Sequence, residues 1–256
     1  MIDRNDIAPG VSLLTLNRPP ANALSPDLLS ALDKALSEAA RADTRTVVIA
    51  GRPGLFSAGL DVPLLLTLDP AAMRAFWETF FGVLRTLALS PIPVGMAITG
   101  HSPAGGTVLS LFADYRIAAA GDFKLGLNEV EVGLPMPPMV FSAFRRLIGP
   151  RAAEQYAVDG RLISPDEALA CGLVDAVVPA EDVIERAVER AKLLASLPRS
   201  ALAATRKLAR ADLATMFERL DADLYEQMNA VWFGDETQAA MRALVARLAE
   251  RKKARE

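Results

Sequence analysis

Short β-branched runs alternate with amphipathic stretches through the first half of this chain, and that alternation restricts the fold more than any other feature. Val11–Leu16 reads as a strand, ended by Asn17-Arg18-Pro19-Pro20. Ser25-Pro26-Asp27 supplies an N-cap with proline at the first helical position, opening a helix with Leu28, Leu32, Ala35, Leu36 and Ala39 on its apolar face. Thr46–Ala50 is a second strand, closed by Gly51-Arg52-Pro53-Gly54. Asp69-Pro70 predicts a long helix to about Leu89, with Met73, Phe76, Trp77, Phe80 and Leu84 at helical spacing. Residues 93–99 form a third strand, 105–112 a short apolar helix and Tyr115–Ala119 a fourth strand. This rhythm predicts an α/β fold, a sheet with crossover helices. After a last strand at 174–178 the pattern is helical, in segments 181–197, 199–210, 213–231 and 236–251. No low-complexity linker divides the chain. Residues 1–195 are expected to form the core and 196–256 a helical C-terminal region of the same domain.

Composition narrows the chemistry. Among 256 residues there is one histidine and one cysteine. A His-rich zinc site, a zinc finger, an iron–sulfur cluster and an internal disulfide are excluded, and a Ser-His-Asp triad could run only through His101. No metal ligand set is expected. Proton transfer in such a chain would rest on carboxylates and charge stabilisation on backbone amides. The net charge of −3 gives no general attraction for nucleic acid or acidic membranes. The basic run Arg251-Lys252-Lys253-Ala254-Arg255 suits a helix C-terminus in solvent. The uncharged stretch 86–113 is interrupted by Pro91, Pro93, Gly95, Gly100, Pro103, Gly105 and Gly106, so it is not one membrane-spanning helix. The start is neither a signal peptide nor an Arg-rich transit segment, and a cytoplasmic protein is expected.

Three segments place glycine, proline or carboxylate where a core would not want them. Leu55-Phe56-Ser57-Ala58-Gly59-Leu60-Asp61 follows the second strand, and its glycine lets the backbone turn and present peptide N–H groups. Gly100-His101-Ser102-Pro103-Ala104-Gly105-Gly106-Thr107 follows the third strand and opens a helix, where N–H donors stand free of side chains. It has neither the ending of a phosphate loop nor the order of a dinucleotide loop. In Gly126-Leu127-Asn128-Glu129-Val130-Glu131-Val132-Gly133, two glutamates sit among apolar residues, where desolvation raises a carboxyl pKa toward neutrality. Two amide-presenting loops and one such glutamate suit proton abstraction beside a thioester carbonyl, with the enolate oxygen held by two N–H donors.

The sequence resembles the crotonase superfamily, the enoyl-CoA hydratase/isomerase family. The resemblance runs through Leu16-Asn17-Arg18-Pro19 with Asn22-Ala23-Leu24, Phe56-Ser57-Ala58-Gly59-Leu60-Asp61, and Pro103-Ala104-Gly105-Gly106 with Asp114-Tyr115-Arg116-Ile117. It continues through Gly126-Leu127-Asn128-Glu129, residues 168–174 and Val177-Val178-Pro179. Within the family, the mitochondrial-type Δ3,Δ2-enoyl-CoA isomerases share most of this pattern. The resemblance implies a spiral of ββα units, an acyl-CoA substrate with no further cofactor, and assembly as a homotrimer or a dimer of trimers. It implies oxyanion N–H donors at Leu60 and Gly105 and a catalytic base at Glu129. It places Ala58, Gly59, Asp61, Val62 and Asn128 at the substrate and CoA, with the Ala58 carbonyl receiving the adenine amino group.

Departures from the family pattern sharpen the expectation. Hydratases in the family carry a second glutamate on the helix after the glycine turn, and Val108 stands at that position here. The resemblance therefore implies a one-base isomerase that moves a 3-enoyl-CoA double bond to C2, with a hydratase or another enolate-forming enzyme as the alternative. Glu131 points away from Glu129 if the stretch is extended and could share its pocket if it is helical. The glycine usual after Pro135 is missing, which bears on the acyl pocket. His101 is expected to pack in its loop, and Cys171, ahead of a helix-ending Gly172, to be a buried structural thiol. Trp77, Phe80 and Phe81 read as helix core, while Trp232 and Phe233 end a helix that in the family covers the CoA site or a neighbouring subunit. A non-catalytic RNA-binding relative is the reading from another class, and the acidic composition speaks against it.

Overall fold

The computed structural model describes residues 1–218 and 222–253. Numbered along the chain, its strands are β1 (Ile2–Ala8), β2 (Val11–Leu16), β3 (Thr46–Ala50), β4 (Gly54–Leu55) and β5 (Val94–Ile98). β6 (Gly100–Pro103), β7 (Tyr115–Ala119), β8 (Leu125–Gly126), β9 (Leu162–Ile163) and β10 (Ala176–Val178) follow. The helices are α1 (Pro26–Arg41), α2 (Val62–Leu65), α3 (Pro70–Leu89), α4 (Gly105–Leu111), α5 (Pro138–Ile148) and α6 (Pro150–Asp159). Next come α7 (Pro165–Cys171), α8 (Val183–Ser196), α9 (Arg199–Ala209), α10 (Ala211–Met216), α11 (Ala222–Trp232) and α12 (Asp235–Lys253).

The expected α/β sheet is present with six strands in the order β1-β2-β3-β5-β7-β10, parallel except for β1. Pleating sorts its side chains. Val47 and Ile49 enter the large core with Met96 and Ile98, whereas Val48 and Ala50 join Ala97, Tyr115 and Ile117 against α8. Gly95 lies opposite Tyr115 on the neighbouring strand, and a Cβ there would stand 2.1 Å from the ring. The space left by that glycine lets the Tyr115 hydroxyl reach the Ala187 carbonyl of α8 at 2.6 Å. Helix starts match the sequence reading: Ser25 accepts from Leu28 N at 3.2 Å and Asp69 from Ala72 N at 2.8 Å. The expected helix 213–231 is a correction, because α10 ends at Met216 and α11 begins at Ala222. Ala254, Arg255 and Glu256, the end of the basic tail, lie outside the described residues.

A second sheet of very short strands, β4-β6-β8-β9, positions the loops. Each of β3, β5 and β7 leaves the large sheet and continues into β4, β6 or β8, and these three pair in parallel, with Leu55 opposite His101 and Pro103 opposite Gly126. The result is a repeated ββα turn that delivers residues 56–61, 103–105 and 127–129 to the same side of the molecule. Close approach makes glycine necessary at Gly100, where a Cβ would fall 2.0 Å from the Gly54 carbonyl carbon.

Arginines lock the helical region onto this core. Arg210, buried, donates to the carbonyls of Phe112 (2.7 Å), Ala113 (3.1 Å) and Ala88 (3.3 Å), which lie where α3 and α4 end. Asp114 accepts from Val94 N at 2.8 Å and from Arg206 at 2.6 and 2.9 Å, and lies 3.5 Å from Arg210. Burial pulls the Arg210 guanidinium down to about 10, and Asp114 opposes that fall. Asp114→Ala leaves two poorly hydrated guanidiniums without their anion. It is expected to cost about 3 kcal/mol, read as a lowered urea midpoint; an unchanged midpoint would count against this role.

Candidate active site

The loop after β4 is held almost amide by amide. Phe56 N donates to the His101 carbonyl at 2.9 Å and Ala58 N to that of Ala21 at 3.0 Å. Gly59 N donates to the Ser57 hydroxyl at 3.2 Å and Asp61 N to the Leu24 carbonyl at 3.1 Å. Leu60 N, between two engaged amides, has no acceptor among the described residues. Asn22 secures the loop from behind. Fully buried, it donates from Nδ2 to the Phe56 carbonyl at 3.1 Å and accepts from Arg18 N at 2.9 Å, while its own carbonyl takes the Ser57 hydroxyl at 2.8 Å. The sequence marked Asn22 only as part of Asn-Ala-Leu; its bonds depend on a chain crossing the sequence does not display.

The second segment meets the first at two glycines. A Cβ on Gly59 would stand 3.3 Å from Gly105 N, and one on Gly105 would stand 3.3 Å from the Gly59 Cα. The amide-presenting ends of the two loops are thus in contact. Gly105 N, at the start of α4, also has no acceptor among the described residues. The turn into α4 is strained: Ala104 has φ 47° and ψ −122°, a region that favours glycine.

The third segment is a 3-10 turn over Glu129–Val132, closed by Gly133 at φ 72°. Its Glu129 carboxyl is turned inward, and Oε2 is buried without a hydrogen-bond partner. Burial raises this carboxyl from an ordinary 4.5 to about 7, with a small opposing effect from its own backbone amide. Glu131 faces outward and accepts from Asn128 Nδ2 at 2.9 Å. The turn therefore separates the two glutamates, and Glu131 does not share the buried position. Val108 is buried in α4, a hydrocarbon at the place compared above with a second glutamate.

The remaining sequence-marked residues divide. Asp61 is engaged within the protein, 2.5 Å from Arg18 and accepting from Leu64 N at 3.3 Å as the cap of α2, where Val62 is buried. His101 accepts from Lys124 N at 3.1 Å and meets the Phe123 ring edge-on at 5.3 Å. Cys171 is only half-buried, a correction, because α7 lies near the surface; burial still pushes its thiol up. The C-terminal helices fold back on the same chain. Trp232 meets Trp77 edge-to-face at 6.1 Å, and Thr237 of α12 donates to the Gly133 carbonyl at 2.7 Å, beside the Glu129 turn. α12 also packs against α2.

Comparison with known proteins bears on the family and the fold. Residues 6–253 match the sequence profile of the enoyl-CoA hydratase/isomerase family. The human mitochondrial enoyl-CoA delta isomerase 1 is 32% identical over 251 residues, 96% of this chain and 83% of that protein. A probable enoyl-CoA hydratase of Mycobacterium avium is 34% identical over 210 residues, 82% of this chain and 80% of that protein. Among solved structures, human mitochondrial delta3-delta2-enoyl-CoA isomerase superposes with a TM-score of 0.93 at 30% identity, covering 98% of this chain and 99% of that one. The enoyl-CoA hydratase EchA3 of Mycobacterium ulcerans gives 0.81 at 27% identity, over 90% and 99%. Fold, motifs and these likenesses converge: the chain belongs to the enoyl-CoA hydratase/isomerase family, the crotonase superfamily.

Proposed function

We propose that the chain is a Δ3,Δ2-enoyl-CoA isomerase with Glu129 as its single proton shuttle. The observation that carries this reading is an inward-turned carboxyl oxygen, Glu129 Oε2, without a partner, in a chain that also presents two amides, Leu60 N and Gly105 N, without an acceptor among the described residues and has Val108 where a hydratase would need a second carboxylate. The thioester oxygen of a 3-enoyl-CoA would accept from Leu60 N–H and Gly105 N–H. Glu129 removes a proton from C2; the C–H electron pair forms the C1–C2 double bond of a dienolate and the charge moves to the oxygen between the two donors. The carboxylic acid so formed returns the proton at C4, the C2–C3 double bond forms and the carbonyl is restored. Ala58, Gly59, Asp61, Val62 and Asn128 line the approach of the CoA thioester, and no further cofactor takes part. Hydration of a 2-enoyl-CoA is the second reading, favoured by the likeness to the mycobacterial hydratases.

Offering 3-enoyl-CoA and 2-enoyl-CoA separately decides between them. Conversion of the first with little hydration of the second is expected, and the reverse overturns the isomerase reading. Glu129→Gln is expected to lower kcat by about 10³-fold while calorimetric binding of the CoA thioester persists. Retained turnover removes Glu129 from its role. Because the base must be ionised, kcat/KM should rise with pH through a midpoint near 7 and level off above it.

The same carboxyl should be visible in stability. Folded Glu129 holds its proton up to about pH 7, whereas the unfolded chain releases it near 4.5, so its contribution declines as pH rises across that window. Glu129→Gln removes the decline. The variant is expected to gain about 3 kcal/mol over wild type at pH 8 and nothing at pH 4, measured by urea unfolding. Equal stability curves at both pH values would contradict a desolvated carboxyl.

A further inference from the structure

Thr107 is buried on the first turn of α4, and its hydroxyl reaches across two strands. It accepts from Gly126 N of β8 at 2.9 Å and donates to the Ser102 carbonyl of β6. The other end of the Gly126 residue is tied to the same turn, since Ala104 N donates to the Gly126 carbonyl at 2.8 Å. Gly126 thus has both its backbone polar groups bonded to the segment that carries Gly105. Its φ of 127° and a Cβ site only 2.7 Å from the Arg161 carbonyl leave no room for a side chain that could make the connection from β8. Thr107 lies two residues after Gly105, and Glu129 lies three residues after Gly126. The strands in between are very short, so few other bonds hold this spacing.

We infer that Thr107 is a positioning residue whose hydroxyl fixes the Gly105 amide relative to the Glu129 carboxyl through Gly126. The inference rests on the isomerase reading, which gives those two groups their roles. Thr107 touches neither substrate nor the transferred proton; it acts by keeping the amide and the carboxyl in register, where displacement of reacting groups by about 1 Å can cost on the order of 10²-fold in rate.

Thr107→Val keeps the branched shape and deletes the hydroxyl, and Thr107→Ser keeps the hydroxyl. Thr107→Val is expected to lower kcat on 3-enoyl-CoA by about 10- to 100-fold with KM within about threefold. Thr107→Ser is expected to restore most of that loss. Amide exchange across residues 125–129 is measured on the same variants and should be faster in Thr107→Val alone, with circular dichroism confirming that both fold. Wild-type kcat in Thr107→Val, or equal losses in the two variants, overturns the inference. Should wild type convert neither ester, the isomerase reading fails by itself. The exchange measurement then still decides whether Thr107 holds residues 125–129, and unchanged exchange in Thr107→Val refutes it.

Discussion

The parallel pairing of β4, β6 and β8 is the constraint on which the site depends, because it stacks three loops that are far apart in sequence. These strands are too short to hold themselves together: a net hydrogen bond is worth about 1 kcal/mol, and each strand makes only a few. They persist because each continues from a strand of the large sheet, whose side chains are buried on both faces. Gly100 permits the close approach of β6 to β4, and Gly59 and Gly105 permit that of the loops beyond them. A side chain at any of these positions would separate the layers, and with them the groups at their ends.

The site keeps complementary groups from satisfying one another. Among the described residues, Leu60 N and Gly105 N are donors without acceptors and Glu129 Oε2 is an acceptor without a donor, yet no hydrogen bond joins them. Isolated in water such groups would be solvated, and in an ordinary core they would pair. Holding them apart costs stability through desolvation at Glu129 and backbone strain at Ala104. In the proposed chemistry this arrangement is the source of rate, since donors fixed in advance need no reorganisation when charge develops.

Long periodic elements were legible in the sequence because each carries its own signals. Ser25 and Asp69 announce α1 and α3, and the strands expected at Thr46–Ala50 and Tyr115–Ala119 match the observed limits of β3 and β7. β1 was not, since Ile2–Ala8 is a largely polar edge strand that forms by pairing back on β2. The second sheet was illegible for a different reason: two to four residues cannot display a period, and these strands exist through their neighbours. α5, α6 and α7 span only 11, 10 and 7 residues, so each displays a brief period, although Ser164-Pro165-Asp166-Glu167 does carry a capping box. The three site segments were marked by glycine, proline and glutamate. Their convergence, the side Glu131 takes and the role of Asn22 depended on the path of the chain between them.

The return of α11 and α12 onto the body of the chain bears on the order in which the molecule is made. Trp77 and the turn at Glu129 leave the ribosome well before Trp232 and Thr237, the residues that close over them. Through that interval the face of Trp77 that Trp232 packs against is without its partner. The Gly133 carbonyl that closes the Glu129 turn takes its bond from Thr237, 104 residues further along the chain. A nascent chain can therefore pair its sheets and loops before the contacts of Trp232 and Thr237 are made, and these late contacts join segments that are far apart in sequence.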